Sequence, residues 1–198
     1  MQLPKFLRSL NFTLFALIFI EAVIVTWAYF TTDPEFFFDK CARNSGRLSS
    51  LILVFLLVYI GKNRLSKIYN VSDLLPTFKT YFILFSINHL IHLLFVGLNF
   101  MNHEIELDIV ENLHGALTFV GIVVLPFIVF RKSNLDNWFY VVLVIHLLNL
   151  SYFVCQTFYS KITDEHPAYH NQLGILVICA GVLYLLHSIY RDRIKYRR

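Results

Sequence analysis

Thr80-Tyr-Phe-Ile-Leu-Phe-Ser-Ile-Asn-His-Leu-Ile-His-Leu-Leu-Phe-Val-Gly-Leu-Asn-Phe100 is the stretch that decides how this chain folds. It carries no charged residue, and at about 1.5 Å per residue a helix of this length crosses a hydrocarbon core roughly 30 Å thick. Yet Asn88, His89 and His92 stand near its middle. An imidazole facing lipid leaves its ring nitrogens without partners, at a cost of several kcal/mol, so these side chains are expected to point into a helical bundle. His89 and His92 are three residues apart and share one helix face.

The rest of the chain has the same character. Of 198 residues, 57% are hydrophobic and only 15% charged, the balance of a polytopic membrane protein rather than a soluble domain. One membrane domain over residues 1–198 is expected. Phe (20) and Tyr (11) are abundant while Gly (7) and Pro (5) are scarce, and no internal repeat is visible, so nothing reads as a disordered or low-complexity segment. The net charge of +4 fits cytoplasmic anchoring of a membrane protein and gives no case for nucleic acid. Cys41, Cys155 and Cys179 are scattered, with no Cys-x-x-Cys spacing, and read as spectators. The basic start, Lys5 and Arg8, precedes an apolar run too long for a signal-peptide core and without a small-x-small cleavage site, which reads as a retained anchor.

Six apolar runs predict six transmembrane helices, at roughly 10–30, 45–61, 80–100, 113–130, 138–158 and 173–190. With the N-terminus inside, the cytoplasmic segments hold 13 of the 17 basic residues, among them Lys62, Arg64, Lys67, Lys79, Arg131, Lys132 and the Arg191–Arg198 tail. The opposite loops collect acid: Asp33, Glu35, Asp39, Glu104, Glu106, Asp108, Glu111, Asp164 and Glu165. The positive-inside rule therefore predicts an all-α, six-helix bundle with both termini cytoplasmic. Connections are short, so a soluble nucleotide- or flavin-binding partner has to be a separate chain. Trp27, Tyr29, Tyr69, Trp138, Tyr140, Tyr159 and Tyr190 near span ends read as interfacial belts.

Three intramembrane groups invite a chemical reading. Glu21 lies mid-span, where an ionised carboxylate costs about 2.5–3.5 kcal/mol, so it is protonated or paired: either a proton relay or partner for an imidazole, or a neutral acid bonded to a backbone carbonyl. His146 lies in the fifth span, with Asn149 one turn on. It is eight residues from Trp138, while His89 and His92 are nine and twelve from Thr80, so the depths agree within roughly 6 Å. Two spans running in the same direction then offer imidazoles at similar depth, the arrangement that ligates a haem iron from both sides. The alternative is ordinary hydrogen-bonded core histidines. His114, with Glu111 on the same face, is an exposed helix-start contact or an outer-surface metal or quinone contact. His103, His166, His170 and His187 read as solvated or interfacial, and this spread of eight His argues against a histidine-box di-iron site.

Ser45-Gly46-Arg47, an apolar run and then Gly61-Lys62-Asn63-Arg64-Leu65 resemble the second span of the ferric-reductase-like transmembrane family. The closer likeness is to its haem-binding membrane subunits of bacterial periplasmic methionine sulfoxide reductase systems. His92-Leu93-Leu94 is similar to that family's third-span haem histidine, and Pro126 and Trp138 fall where the family often has such residues, so that the likeness covers most of residues 44–158. Val142 and Cys155 stand where relatives carry fifth-span histidines, and Phe82 near a usual glycine. Either the site has moved one turn to His146, leaving one haem where relatives carry two, or the chain is a diverged member without haem.

The resemblance implies a b-type haem with His92 as one axial ligand; the depth comparison supplies His146 as the second and keeps His89 in reserve. It implies one-electron transfer across or into the bilayer of a bacterial inner membrane, from a cytoplasmic flavoprotein or quinol to an outer-face acceptor. Two rivals need no cofactor: an integral membrane subunit that scaffolds partner chains in a larger complex, and a small lipid-modifying or transport protein using Glu21 and a histidine for proton transfer.

Overall fold

Lipid offers the backbone no hydrogen-bond partner, so apolar runs of this length fold as helices. The computed structural model describes residues 10–71, 73–104, 113–162 and 169–196, with only the backbone at 113, 114 and 193–196. Among them run α1 (Leu10–Thr31), a 3-10 turn at Pro34–Phe36, α2 (Phe37–Asn63), α3 (Leu65–Asn70), α4 (Leu75–Asn102), α5 (Leu113–Arg131), α6 (Asn137–Tyr159) and α7 (Tyr169–Tyr196), with no strand. Five helices are long and apolar enough to cross a membrane: α1, α2 with its leading turn, α4, α6 and α7. The helix over the fourth apolar run is shorter in its described apolar part, Gly115–Arg131.

α2, α4 and α7 begin several residues earlier than their apolar runs do. α2 starts at Phe37 because its charged first turns are still amphipathic: Cys41, Ala42 and Ser45 are buried, Asp39 and Arg43 pair along the surface, and the Lys40 ammonium lies 4.7 Å over the Trp27 ring. α4 starts at Leu75, with Pro76 in its first turn where a missing N–H costs nothing, and Lys79 reaches out to donate to the Phe130 carbonyl at 2.8 Å.

α2 is the hub. It packs against α1, α4 and α7, while α4, α5, α6 and α7 follow one another around a ring that closes back on it. The middle of this ring is filled by Leu53, Leu56 and Leu57 of α2, Phe78, Phe82 and Phe85 of α4, and Phe139, Leu143, Leu147 and Leu150 of α6. Large apolar side chains also cover the outside, among them Phe15, Phe55, Phe127, Ile145 and Leu183, as a lipid-facing surface requires.

At the Lys/Arg-rich end, Arg64 breaks α2 from α3 with φ 62°, a left-handed conformation that a non-glycine residue adopts at a cost. What holds the corner is Asp192 of α7, buried, which accepts from Ser66 Oγ at 2.8 Å and lies 3.8 Å from the Arg64 guanidinium. Replacing Asp192 with Ala is expected to destabilise the purified protein by about 1–3 kcal/mol, because Ser66 and Arg64 lose their partner. Asp192→Asn keeps the Ser66 bond and should lose less, as read by thermal unfolding in detergent.

Candidate functional site

One face of α2 carries Ala42, Ser45, Gly46 and Ser49, spaced i, i+3, i+4 and i+7, all small. Small side chains let α1 and α4 approach closely, and they leave backbone and hydroxyl groups available to polar residues on those helices. Ser45 Oγ donates to Glu21 Oε1 at 2.7 Å, and Asn88 Nδ2 donates to the Ser45 carbonyl at 3.1 Å. One turn further, Ser49 Oγ and His89 Nδ1 are 2.9 Å apart.

His92 bonds through Nδ1 to the Ala42 carbonyl at 2.9 Å. A carbonyl only accepts, so Nδ1 carries the hydrogen, and in the neutral ring Nε2 is left with the lone pair. The ring lies on Gly46, where an added Cβ would come within 2.9 Å of Cε1, so this approach requires glycine. His89 and His92 have ring centroids 5.3 Å apart, and Phe85 stacks on the other side of His89.

Two buried atoms in this seam have no partner among the described residues: Glu21 Oε2 and Asn88 Oδ1. Both belong to side chains bonded to Ser45, one through its hydroxyl and one through its carbonyl. A neutral carboxylic acid removes one of the two acceptors without a donor, since its O–H is itself a donor. It also avoids placing a bare carboxylate in the membrane interior.

The seam opens at the end opposite the Lys/Arg-rich corner. A cavity of about 60 Å³ is lined by His89, His92, Gly46, Phe153, Thr157 and Lys161. Above it, sharing Arg43, Phe158 and Lys161, lies a vestibule of about 480 Å³ lined also by Asp39, Arg47, His170 and Asn171. Burial pushes the Lys161 ammonium below its ordinary pKa; repulsion from Arg43 and Arg47 acts the same way and Asp39 opposes it.

The sequence-predicted residues separate into two groups. Glu21, His89 and His92 meet on the α2 face; His146 does not join them. The residues of α6 level with His89 and His92 are Phe153, Val154 and Thr157, which place His146 seven to eleven residues, roughly 10–16 Å, further along the bundle. The expected match in depth fails because α4 begins at Leu75 rather than Thr80, while α6 begins at Asn137 close to the expected Trp138. His146 instead lies against Gly121 of α5, its Nε2 buried without a partner among the described residues.

A haem between His92 and His146 does not fit this packing. The His92 ring rests against Gly46 of α2 and the His146 ring against Gly121 of α5, the cavity beside His92 is far below the roughly 300–1,000 Å³ of a small-molecule pocket, and Phe and Leu fill the bundle's centre. Among the described residues no three His, Cys, Asp or Glu side chains group as metal ligands. The side chain of His114, with Glu111, lies outside the described residues, as does His166. His103 bonds back to the Asn99 carbonyl, and His170 is exposed and lines the vestibule. Cys155 and Cys179 touch across α6 and α7, a contact invisible in their spacing. Sequence reasoning assigned no chemistry to Ser45, Ser49 or Lys161; the only signal was the i, i+4 pairing of small polar residues on α2. No protein-family model, no curated protein and no solved structure matches the chain.

Glu21→Gln keeps an acceptor for Ser45 and adds the N–H donor that the neutral acid would supply, so it should leave thermal stability in detergent nearly unchanged. Glu21→Ala strands Ser45 and should cost about 1–3 kcal/mol. The infrared spectrum of the parent protein should contain a protonated-carboxyl carbonyl band at neutral pH that Glu21→Gln removes.

Proposed function

We propose that this is a six-span integral membrane protein with cytoplasmic termini, whose outer half holds a histidine site exchanging a proton between buried Glu21 and the vestibule. The observation that carries the reading is the seam itself: Glu21, Ser45, Asn88, Ser49, His89 and His92 all meet one face of α2, and the seam ends at a cavity. Ser45 and Ser49 lie one turn apart, with Cβ atoms about 5–6 Å from each other, a gap that a single bridging water spans. Towards the Lys/Arg-rich end the bundle is sealed by Phe and Leu, so the seam serves chemistry or transport at one face and does not conduct through the membrane. His92, with Nδ1–H fixed on Ala42, would accept a proton at Nε2, and Glu21 would be its reserve donor. This is the class of a small lipid-modifying or transport protein.

The rival is a b-type haem carrier of the ferric-reductase-like kind, taking electrons from a cytoplasmic flavoprotein or quinol. It is supported by the likeness around Ser45-Gly46-Arg47 and His92 and by the His92 tautomer, and it needs a second ligand at the depth of Phe153–Thr157. A scaffold subunit for partner chains is the reading left if neither holds.

Nitrogen-15 histidine spectra of the purified protein test the choice. His89 and His92 should change their titration midpoints in Glu21→Gln and in Ser45→Ala, while His146 stays as it was. Unmoved midpoints for His89 and His92 would remove the relay. A visible band that shifts on adding dithionite, after expression with ample haem, would put the electron carrier in its place.

A further inference from the structure

Beside the vestibule lies a second hollow, about 220 Å³, between α2 and α7. It shares Arg47, Phe158, His170 and Asn171 with the vestibule, so the two form one continuous depression. Their chemistry differs sharply. The groove is walled by Leu51, Val54, Leu173, Val177 and Ile178, and its rims Leu51 and Leu173 are 55% and 62% exposed on the surface that meets lipid. The vestibule carries three cations, Arg43, Arg47 and Lys161, against one described carboxylate, Asp39.

Arg43 is already engaged by Asp39, and among the described residues Arg47 holds only the neutral Asn44 oxygen at 3.2 Å. Lys161 has no described carboxylate within ion-pair distance and stands close to two guanidinium groups, an arrangement that an anion would relieve. A soluble anion would explain the charges and leave the groove without a purpose. A hydrocarbon chain alone would explain the groove and leave the cations facing one another. One molecule satisfies both.

We propose that the vestibule and groove together bind a phosphate-headed lipid of the bilayer, its phosphate between Arg47 and Lys161 and one acyl or isoprenoid chain along Leu51, Val54 and Val177. Guanidinium groups bind phosphate through paired N–H donors, and basic pockets between membrane helices are suited to anionic headgroups. The headgroup then sits directly above the small cavity that His92 lines, with Lys161 and Phe158 common to both. The assignment deepens the proton-exchange reading and rests on it for the claim that the lipid is acted on or carried. Binding itself does not depend on that reading, so the two can fail separately.

The test uses the full chain, purified in a neutral detergent, and follows its Tm as lipid is added. Dioleoyl phosphatidylglycerol should raise Tm at concentrations where dioleoyl phosphatidylcholine and inorganic phosphate do not. Arg47→Gln and Lys161→Gln should each weaken the phosphatidylglycerol response about tenfold, the loss of one charge-assisted contact. Val177→Trp, which fills the groove and leaves the cations in place, should weaken it as well. Lys62→Gln and Arg131→Gln, at the other end of the bundle, should leave it unchanged. Three results would each overturn the proposal: equal shifts with the two phospholipids, an inorganic phosphate response as large as that of phosphatidylglycerol, or loss of response in the Lys62 and Arg131 variants equal to that in Arg47→Gln. Histidine titration on the same variants reads the proton site independently.

Discussion

The contact between the small face of α2 and the polar side chains of α1 and α4 is the constraint on which the rest of the bundle depends. In a medium that supplies no hydrogen bonds, Glu21, Asn88, His89 and His92 have to find partners inside the protein, and all four find them on Ala42, Ser45 and Ser49. That requirement fixes the rotation of α1 and α4 about their axes and their register along α2. Apolar packing alone would specify neither so narrowly, because Leu and Phe pack nearly as well against lipid as against one another. Gly46 belongs to the same constraint, since a methyl group there would displace the His92 ring.

From that register the remaining architecture follows. With α4 fixed on α2, its Phe78, Phe82 and Phe85 are delivered to the middle of the bundle, where they meet Leu53 and Leu56 and the Phe139–Leu150 face of α6. The same packing that seals the Lys/Arg-rich half leaves the opposite half polar, with Lys161 leaning over the histidine cavity and the vestibule above it. The described residues thus place the apolar core towards one end of the bundle and the polar hollows towards the other.

The polar seam also explains how a chain with a haem-like arrangement of histidines need not hold haem in the expected way. A ligand pair requires two rings at one depth facing a common space. Here His92 is turned onto α2 and His146 onto α5, each resting on a glycine, with aromatic and aliphatic side chains between. What remains in common with the ferric-reductase-like pattern is local: the small-residue opening of the second span and the neighbourhood of His92.

Hydropathy by itself determined that the chain is helical and suited to a membrane, because the absence of solvent partners for the backbone leaves one choice for an apolar run of twenty residues. It also identified Glu21, His89 and His92 as inward-facing, since their desolvation is costly wherever they sit. Only the tertiary structure decided what they face. Helix starts such as Leu75 and Phe37 are masked by polar first turns, so depths counted from the edge of an apolar run are wrong by a turn or more, and that error paired His146 with His92. The partners themselves, a serine hydroxyl from Ser45 or a carbonyl from Ala42, are groups that many residues possess, and nothing in their spacing says which helix will be laid against them.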